Sequence, residues 1–210
     1  MLFNEILQTG LTSKEWSQGT IYPIPKPKEW ENNLNITRPI TLLDTCRKIF
    51  TKAIANRLAQ IFTTHHILSE HNWAALPRNS TQDPIHILQA IIEYIKENNQ
   101  QAWILCQDMS KAYDSVHIAT LKKTLKRIKI PEQITKILLS ILNNRTNTVI
   151  TCHGNTEEYK VEDGIDQGDT ISPILWRIFY NPLLSRIQKI HTGYTITIKK
   201  YPDIRDGWKI

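Results

Sequence analysis

Cysteine is scarce in this sequence, and the few present follow no pairing pattern. The three cysteines, Cys46, Cys106 and Cys152, are an odd number and include no CxxC pair. A disulfide framework or a structural zinc site is therefore not expected, and this usage suits a reducing compartment.

Long apolar runs and a secretory leader are also missing. No stretch approaches the length of a membrane span, and the first residues lack the basic and apolar regions of a signal peptide. We therefore expect an intracellular protein that is not secreted and has no membrane partner. The choice between nucleus and cytoplasm stays open.

The overall composition is that of a folded, basic protein. The chain has 210 residues, of which 40% are hydrophobic and 22% charged, so it is long enough to bury a core and is not a disordered tail. Its formal net charge of +6 favours polyanionic partners. Many proteins are equally basic, so charge alone does not identify the partner.

One short segment places a carboxylate directly after an apolar run. Residues 104–116 read ILCQDMSKAYDSV, and we interpret Trp103 to Cys106 as a buried strand from which Asp108 emerges. An unpaired carboxylate is costly to bury but well placed at a sheet edge to bind a hard cation such as Mg²⁺. The alternative is that Asp108 begins a helix as an N-cap.

A second segment, GIDQGDTISP at residues 164–173, precedes an apolar helix. Ser172 suits the cap of that helix, and Pro173 suits its first turn. Gly168 would let the backbone approach a ligand closely, and Gln167 offers both a donor and an acceptor. Such a loop can line a nucleotide or template pocket, and we interpret its three acidic residues as solvated: Asp163, Asp166 and Asp169.

The periodicity of the chain predicts an α+β protein. The clearest helix lies behind Asp44 and has a basic face, which we interpret as solvated and which comprises Arg47, Lys48, Lys52 and Arg57. Further helices are predicted after Asp83-Pro84, Asp114 and Pro131. Strands over 147–152 and 158–161 flank a turn at Gly154-Asn155, which predicts a hairpin.

Five collinear blocks resemble the reverse transcriptases of non-LTR (LINE-type) retrotransposons and their relatives among group II intron enzymes. The two segments above are joined by IYPIPKP with TRPITLL (21–27 and 37–43), DTCRKIF (44–50) and PRNSTQD (77–83). Order and spacing agree from about Phe3 to Tyr194. The resemblance implies a right-hand polymerase-like fold, with a fingers-like region at 1–100, and a partial palm at 101–210 whose antiparallel sheet packs with helices, and no thumb.

The resemblance also implies roles for single residues. Lys26 and Arg38 match positions that hold the incoming triphosphate, and Asp108 matches a catalytic ligand of Mg²⁺, with Mn²⁺ as a second possibility. Tyr113 matches the ring that excludes a 2′-hydroxyl, although it could also be an aromatic that covers the core. Gln167 with Gly168 would shape the nucleotide and template pocket. The implied partners are an RNA template, a DNA primer and deoxynucleoside triphosphates.

Three departures from the family pattern limit these expectations. Ala75-Leu76 and Pro77 replace residues usual in the third block, and Gln107 precedes Asp108 where an apolar residue is commoner. The family's third motif, aromatic-x-Asp-Asp, has no counterpart, since Gly193 to Ile198 matches only the strand before it. One carboxylate cannot hold the two cations of phosphoryl transfer.

We therefore expect a reverse transcriptase domain, an RNA-directed DNA polymerase by resemblance, that is inactive by itself. Two alternatives stay open at this point. The first is a non-catalytic remnant that binds nucleic acid through its basic surface. The second is a metal-dependent nuclease that uses Asp108 and Asp114, which would leave the blocks around Lys26 and Arg38 without a role.

Overall fold

A computed structural model describes residues 2–29, 33–76, 80–190 and 193–194. Residues 77–79 of the third block and residues 195–198 of the strand expected over Gly193–Ile198 lie outside the described residues, so those expectations stay predictions. No helix in the described part is long and apolar enough to cross a lipid bilayer.

Helices and strands are mixed along the chain, as the periodicity predicts. Their bounds are α1 Leu2–Thr9, β1 Gln18–Pro25, β2 Thr37–Leu42, α2 Thr45–Thr64, α3 Gln82–Glu97, α4 Ile118–Arg127, α5 Glu132–Leu142, β3 Arg145–Thr151, β4 Gly154–Asn155, β5 Tyr159–Val161 and α6 Ser172–Ile190. Two 3₁₀ turns, Lys14–Ser17 and Leu34–Ile36, precede β1 and β2.

A five-stranded sheet combines strands that are far apart in the sequence. Its order is β2-β1-β3-β4, and β5 pairs with β3. The pairings are antiparallel except the central one, where β1 runs parallel to β3. The hairpin predicted around Gly154-Asn155 is confirmed, because both β4 and β5 return antiparallel to β3. Strands from the first and the last third of the described chain thus form one surface.

The core lies among helices α2, α4, α5 and α6. Helix α2 buries residues at three- and four-residue spacing, and α4 and α5 contribute side chains with no exposed area. Burial of this apolar surface is the main stabilising term of such a core. Its most enclosed members are Phe50, Phe62, Val116, Leu121, Leu125, Ile137, Leu138, Leu175 and Ile178.

Helix α2 confirms the predicted start but not the whole predicted basic face. The Asp44 side chain accepts a hydrogen bond from the Arg47 backbone N–H at 2.8 Å, as an N-cap does. Lys52 and Arg57 are exposed as expected. Arg47 is only 1% exposed, so the prediction that it lies on a solvated face is wrong. It falls on the same stripe as Phe50 and is drawn inward by buried carboxylates.

The buried strand predicted over Trp103–Cys106 does not form. Residues 101–109 adopt no helix or strand, and the side chains of Trp103 and Leu105 are 96% and 91% exposed. The apolar run met the pattern of a buried strand, but a strand also needs neighbours for its backbone groups. The described sheet is built from β1 to β5 and supplies none to this segment.

Candidate functional site

A cleft of about 770 Å³ opens between the β1–β2 hairpin and the turn at residues 108–114. Five of the six predicted site residues line it, although they come from three separate sequence blocks. Lys111 and Asp114 line it as well, so both signs of charge face the same space. The five predicted residues are Lys26, Arg38, Asp108, Tyr113 and Gln167.

Two positively charged residues, Lys26 and Arg38, lie at one end of the β1–β2 hairpin. In the antiparallel register, Ile24 lies opposite Arg38, and the Lys26 backbone N–H donates to the Ile36 carbonyl at 2.9 Å. Lys26 and Arg38 are therefore near neighbours across the two strands. Both side chains are exposed to solvent and free to meet a ligand in the cleft.

Tyr113 is held on the opposite wall by backbone hydrogen bonds. Its carbonyl accepts from the Ile165 N–H at 3.0 Å, and its ring centroid lies 6.4 Å from that of Trp176 at an interplanar angle of 48°. The ring is half-buried, and desolvation raises the pKa of its phenol above the ordinary value of 10.0. At neutral pH, Tyr113 therefore presents an uncharged, fixed surface.

The Gln167-Gly168 turn packs against strand β2. The Gln167 carbonyl accepts from the Thr41 N–H at 2.7 Å. Gly168 has a φ of +136°, and a Cβ there would lie 2.5 Å from the Thr41 carbonyl oxygen. Only glycine fits this approach without displacing backbone. Gly168 thus lets the turn lie against β2 while Gln167 faces the cleft.

The sequence that contains these blocks matches a known family. A family model described as "Reverse transcriptase (RNA-dependent DNA polymerase)" matches residues 24–203. The chain belongs to the reverse transcriptase family. Apart from Ile21 and Pro23, every residue that lines the cleft lies within the part of the chain that the family model covers.

Individual relatives confirm the resemblance to non-LTR retrotransposons. Over 179 residues the chain is 28% identical to the "Probable RNA-directed DNA polymerase from transposon BS" of Drosophila melanogaster, covering 85% of this chain and 20% of that protein. It is 22% identical over 199 residues to the "Retrovirus-related Pol polyprotein from type-1 retrotransposable element R2" of Nasonia vitripennis, covering 95% and 19%. The chain thus spans about a fifth of the length of these relatives.

A solved structure agrees at the level of the fold. The structure titled "Structure of apo telomerase from Candida Tropicalis truncated from C-terminal domain" matches with a TM-score of 0.52 and 18% identity, over 90% of this chain and 44% of that one. The α+β architecture therefore agrees with the polymerase-like fold of fingers and a partial palm that the sequence resemblance implies.

The sequence interpretation missed a buried ionic network beneath the Gln167-Gly168 turn. Arg47 donates to Asp166 at 2.6 Å and to Asp169 at 2.8 Å, and Arg145 donates to the other oxygen of Asp166 at 2.6 Å. Thr51 donates to the second oxygen of Asp169 at 2.8 Å. We call Arg47, Arg145, Asp166 and Asp169 the quartet.

The quartet corrects the prediction of solvated aspartates. Asp166 and Asp169 are 4% and 5% exposed, whereas Asp163 is exposed as predicted. The hydroxyl of Ser172 donates to the Asp166 carbonyl at 2.7 Å, and the Ile174 and Leu175 N–H groups donate to the Ile171 carbonyl, so Ser172 does not cap α6 in the expected way. One sequence pattern could have indicated that Arg47 is buried. Arg47 lies three and four residues before Phe50 and Thr51, and residues at these spacings share one face of a helix.

The reverse transcriptase family uses divalent metal ions, and the carboxylates nearest to such a role in this cleft are Asp108 and Asp114. Asp108 is exposed and Asp114 lines the same cleft. Across residues 2–29, 33–76, 80–190 and 193–194, no three histidine, cysteine, aspartate or glutamate residues converge on one point. A pair of cations that clamps both reacting oxygens does not fit these donors.

Proposed function

We propose that this chain supplies the fingers and part of the palm of an RNA-directed DNA polymerase, with the cleft as its deoxynucleotide site. The gathering of Lys26, Arg38, Asp108, Tyr113 and Gln167 around one space carries the proposal. In this proposal residues 1–100 are the fingers-like region and 101–210 the partial palm. The partners would be an RNA template and a DNA primer.

The charges of the cleft suit a nucleoside triphosphate. Lys26 would act as a compact positive charge, and the Arg38 guanidinium offers a planar fork to phosphate oxygens. Both stand on the same end of the hairpin, so one triphosphate can contact both. Asp108 on the facing turn is the proposed ligand for a single hydrated Mg²⁺ or Mn²⁺ ion.

The opposite wall suits the sugar and the base. The half-buried Tyr113 ring, fixed against Trp176, would exclude a 2′-hydroxyl by its volume alone. The Gln167 amide can donate to and accept from a base or a template sugar, and Gly168 allows its backbone to lie close to β2.

Binding of deoxynucleotides to the 210-residue chain tests the proposal. We expect Lys26→Ala and Arg38→Ala each to weaken triphosphate binding by about tenfold or more, since each removes a charge-assisted contact. Lys136→Ala is the matched control, because Lys136 is exposed on α5 and pairs with Glu132 at 3.4 Å. Equal affinity of all three variants and the parent chain would contradict the nucleotide site.

Assays with an RNA template and a labelled DNA primer separate this function from its alternatives. Primer extension with Mg²⁺ that Lys26→Ala abolishes would show polymerase activity in the chain itself. Salt-sensitive binding of nucleic acid without triphosphate binding would favour the non-catalytic alternative, which the missing carboxylate cluster in the described residues supports. Primer shortening would favour the nuclease.

A further inference from the structure

The loop at residues 164–169 connects both walls of the cleft. On one side, the Gly164 N–H donates to the Val116 carbonyl at 2.8 Å and the Ile165 N–H to the Tyr113 carbonyl at 3.0 Å. On the other side, the Gln167 carbonyl accepts from the Thr41 N–H at 2.7 Å. The loop therefore sets the distance between the Tyr113 turn and the strand that carries Arg38.

The quartet holds this loop in place through hydrogen bonds. Arg47 bridges the two carboxylates that flank Gln167, and its Nη1 also donates to the Trp16 carbonyl at 2.5 Å. Arg145 donates to the loop backbone itself, reaching the Gly164 carbonyl at 2.6 Å. The turn is thus tied to α2 and to β3 by two guanidinium groups.

The quartet can serve this role because its charges balance. Two guanidinium groups face two carboxylates, and all four residues are between 1% and 5% exposed. In such a poorly hydrated place each charge is stable only while its partners stay in position. Movement of Asp166 would leave the buried Arg145 guanidinium without a carboxylate, and movement of Asp169 would leave Arg47 to share Asp166 with Arg145, so the loop has one strongly preferred position.

We propose that the quartet is a positioning device for the cleft, with Arg47 as its central residue. Arg47 and Asp169 are not among the residues that line the cleft. They act through the loop, which holds Gln167, the Tyr113 turn and the Arg38 strand in their relative places. The part of this inference that concerns ligand affinity rests on the proposed nucleotide site, whereas the part that concerns loop position does not.

Amide hydrogen exchange measures loop position without any ligand. Arg47→Lys keeps the charge but cannot bridge both carboxylates with a planar fork. We expect exchange of the Thr41 N–H, the donor to Gln167, to accelerate by about tenfold or more in this variant. Arg57→Lys is the matched control on the exposed face of the same helix. Unchanged Thr41 exchange in Arg47→Lys would overturn the proposal.

A double-mutant cycle measures whether Arg47 acts through Gln167. Triphosphate affinity is compared for Arg47→Lys, Gln167→Ala and the double variant. If Arg47 positions Gln167, the double variant should bind no more than about twofold more weakly than Gln167→Ala. Losses that multiply independently would refute action of Arg47 through Gln167. Faster Thr41 exchange in a chain that binds no triphosphate would sustain the positioning role and reject the nucleotide site.

A second variant covers the possibility that Arg47→Lys does not fold. Arg47→Met combined with Asp169→Asn removes one charge of each sign and leaves the Arg145 pair with Asp166 intact, so no buried charge loses its partner. Thr51 can still donate to the new amide oxygen. We expect this variant to fold and to show fast Thr41 exchange. Parental exchange in it would overturn the proposal.

Discussion

Replacement of Gly168 by alanine should destabilise the domain through one close contact. The added Cβ would lie 2.5 Å from the Thr41 carbonyl oxygen, and the backbone φ of +136° disfavours any side chain. Strain at such a conformation costs about 1–3 kcal/mol, and loss of the adjoining hydrogen bond from Thr41 adds roughly 1 kcal/mol. The expected loss in the free energy of unfolding is therefore about 2–4 kcal/mol.

Gly154→Ala is the matched control for this prediction. Gly154 also has a positive φ, +109°, but a Cβ there would meet nothing within 4 Å. It should cost only backbone strain, so Gly168→Ala should exceed it by at least about 1 kcal/mol. Urea unfolding followed by circular dichroism gives both values, with equal m-values as the check on two-state behaviour. Equal losses in the two variants would refute the packing of the turn on β2.

Three further predictions concern Tyr113 and the core. In a polymerase completed by its third motif, Tyr113→Ala should admit ribonucleotides and Tyr113→Phe should not, since the gate needs volume only; unchanged sugar discrimination in incorporation assays would exclude this role. Burial raises the Tyr113 pKa above 10.0, so the free energy of unfolding should fall as pH rises past about 10. The fall should be smaller in Tyr113→Phe. Identical dependence of the free energy of unfolding on pH in the two chains would contradict this. Leu125 has no exposed area, so Leu125→Ala should lower the free energy of unfolding in urea by about 2–5 kcal/mol. Leu183→Ala, at a side chain that is 45% exposed, should lower it by less than about 1 kcal/mol.

Local patterns in the sequence predicted the helices well and much of the cleft with them. The stripe behind Asp44 gives α2, and the turn at Gly154 gives the hairpin of β3 with β4, because both depend on residues close in sequence. The motif blocks pointed to Lys26, Arg38 and Gln167, which the fold brings to one cleft. Their roles stay predictions until binding is measured.

Local sequence patterns could not predict interactions between segments that are far apart in the sequence. Arg47 and Asp166 are 119 positions apart, so neither neighbourhood reveals that the two charges neutralise each other in the interior. Each alone is best interpreted as solvated, since single buried charges are costly. The prediction of a strand at residues 103–106 was wrong for a different reason. Its composition suits a strand, but strand formation depends on a pairing partner that composition does not specify.

The exposed apolar residues at 103–106 have a practical consequence for purification of this domain. Trp103 and Leu105 present nearly their whole side chains to water next to backbone groups that take part in no described strand. Such a segment is a template for pairing between molecules. Self-association should therefore rise with protein concentration, and Leu105→Lys should reduce light scattering of concentrated samples without moving the unfolding midpoint.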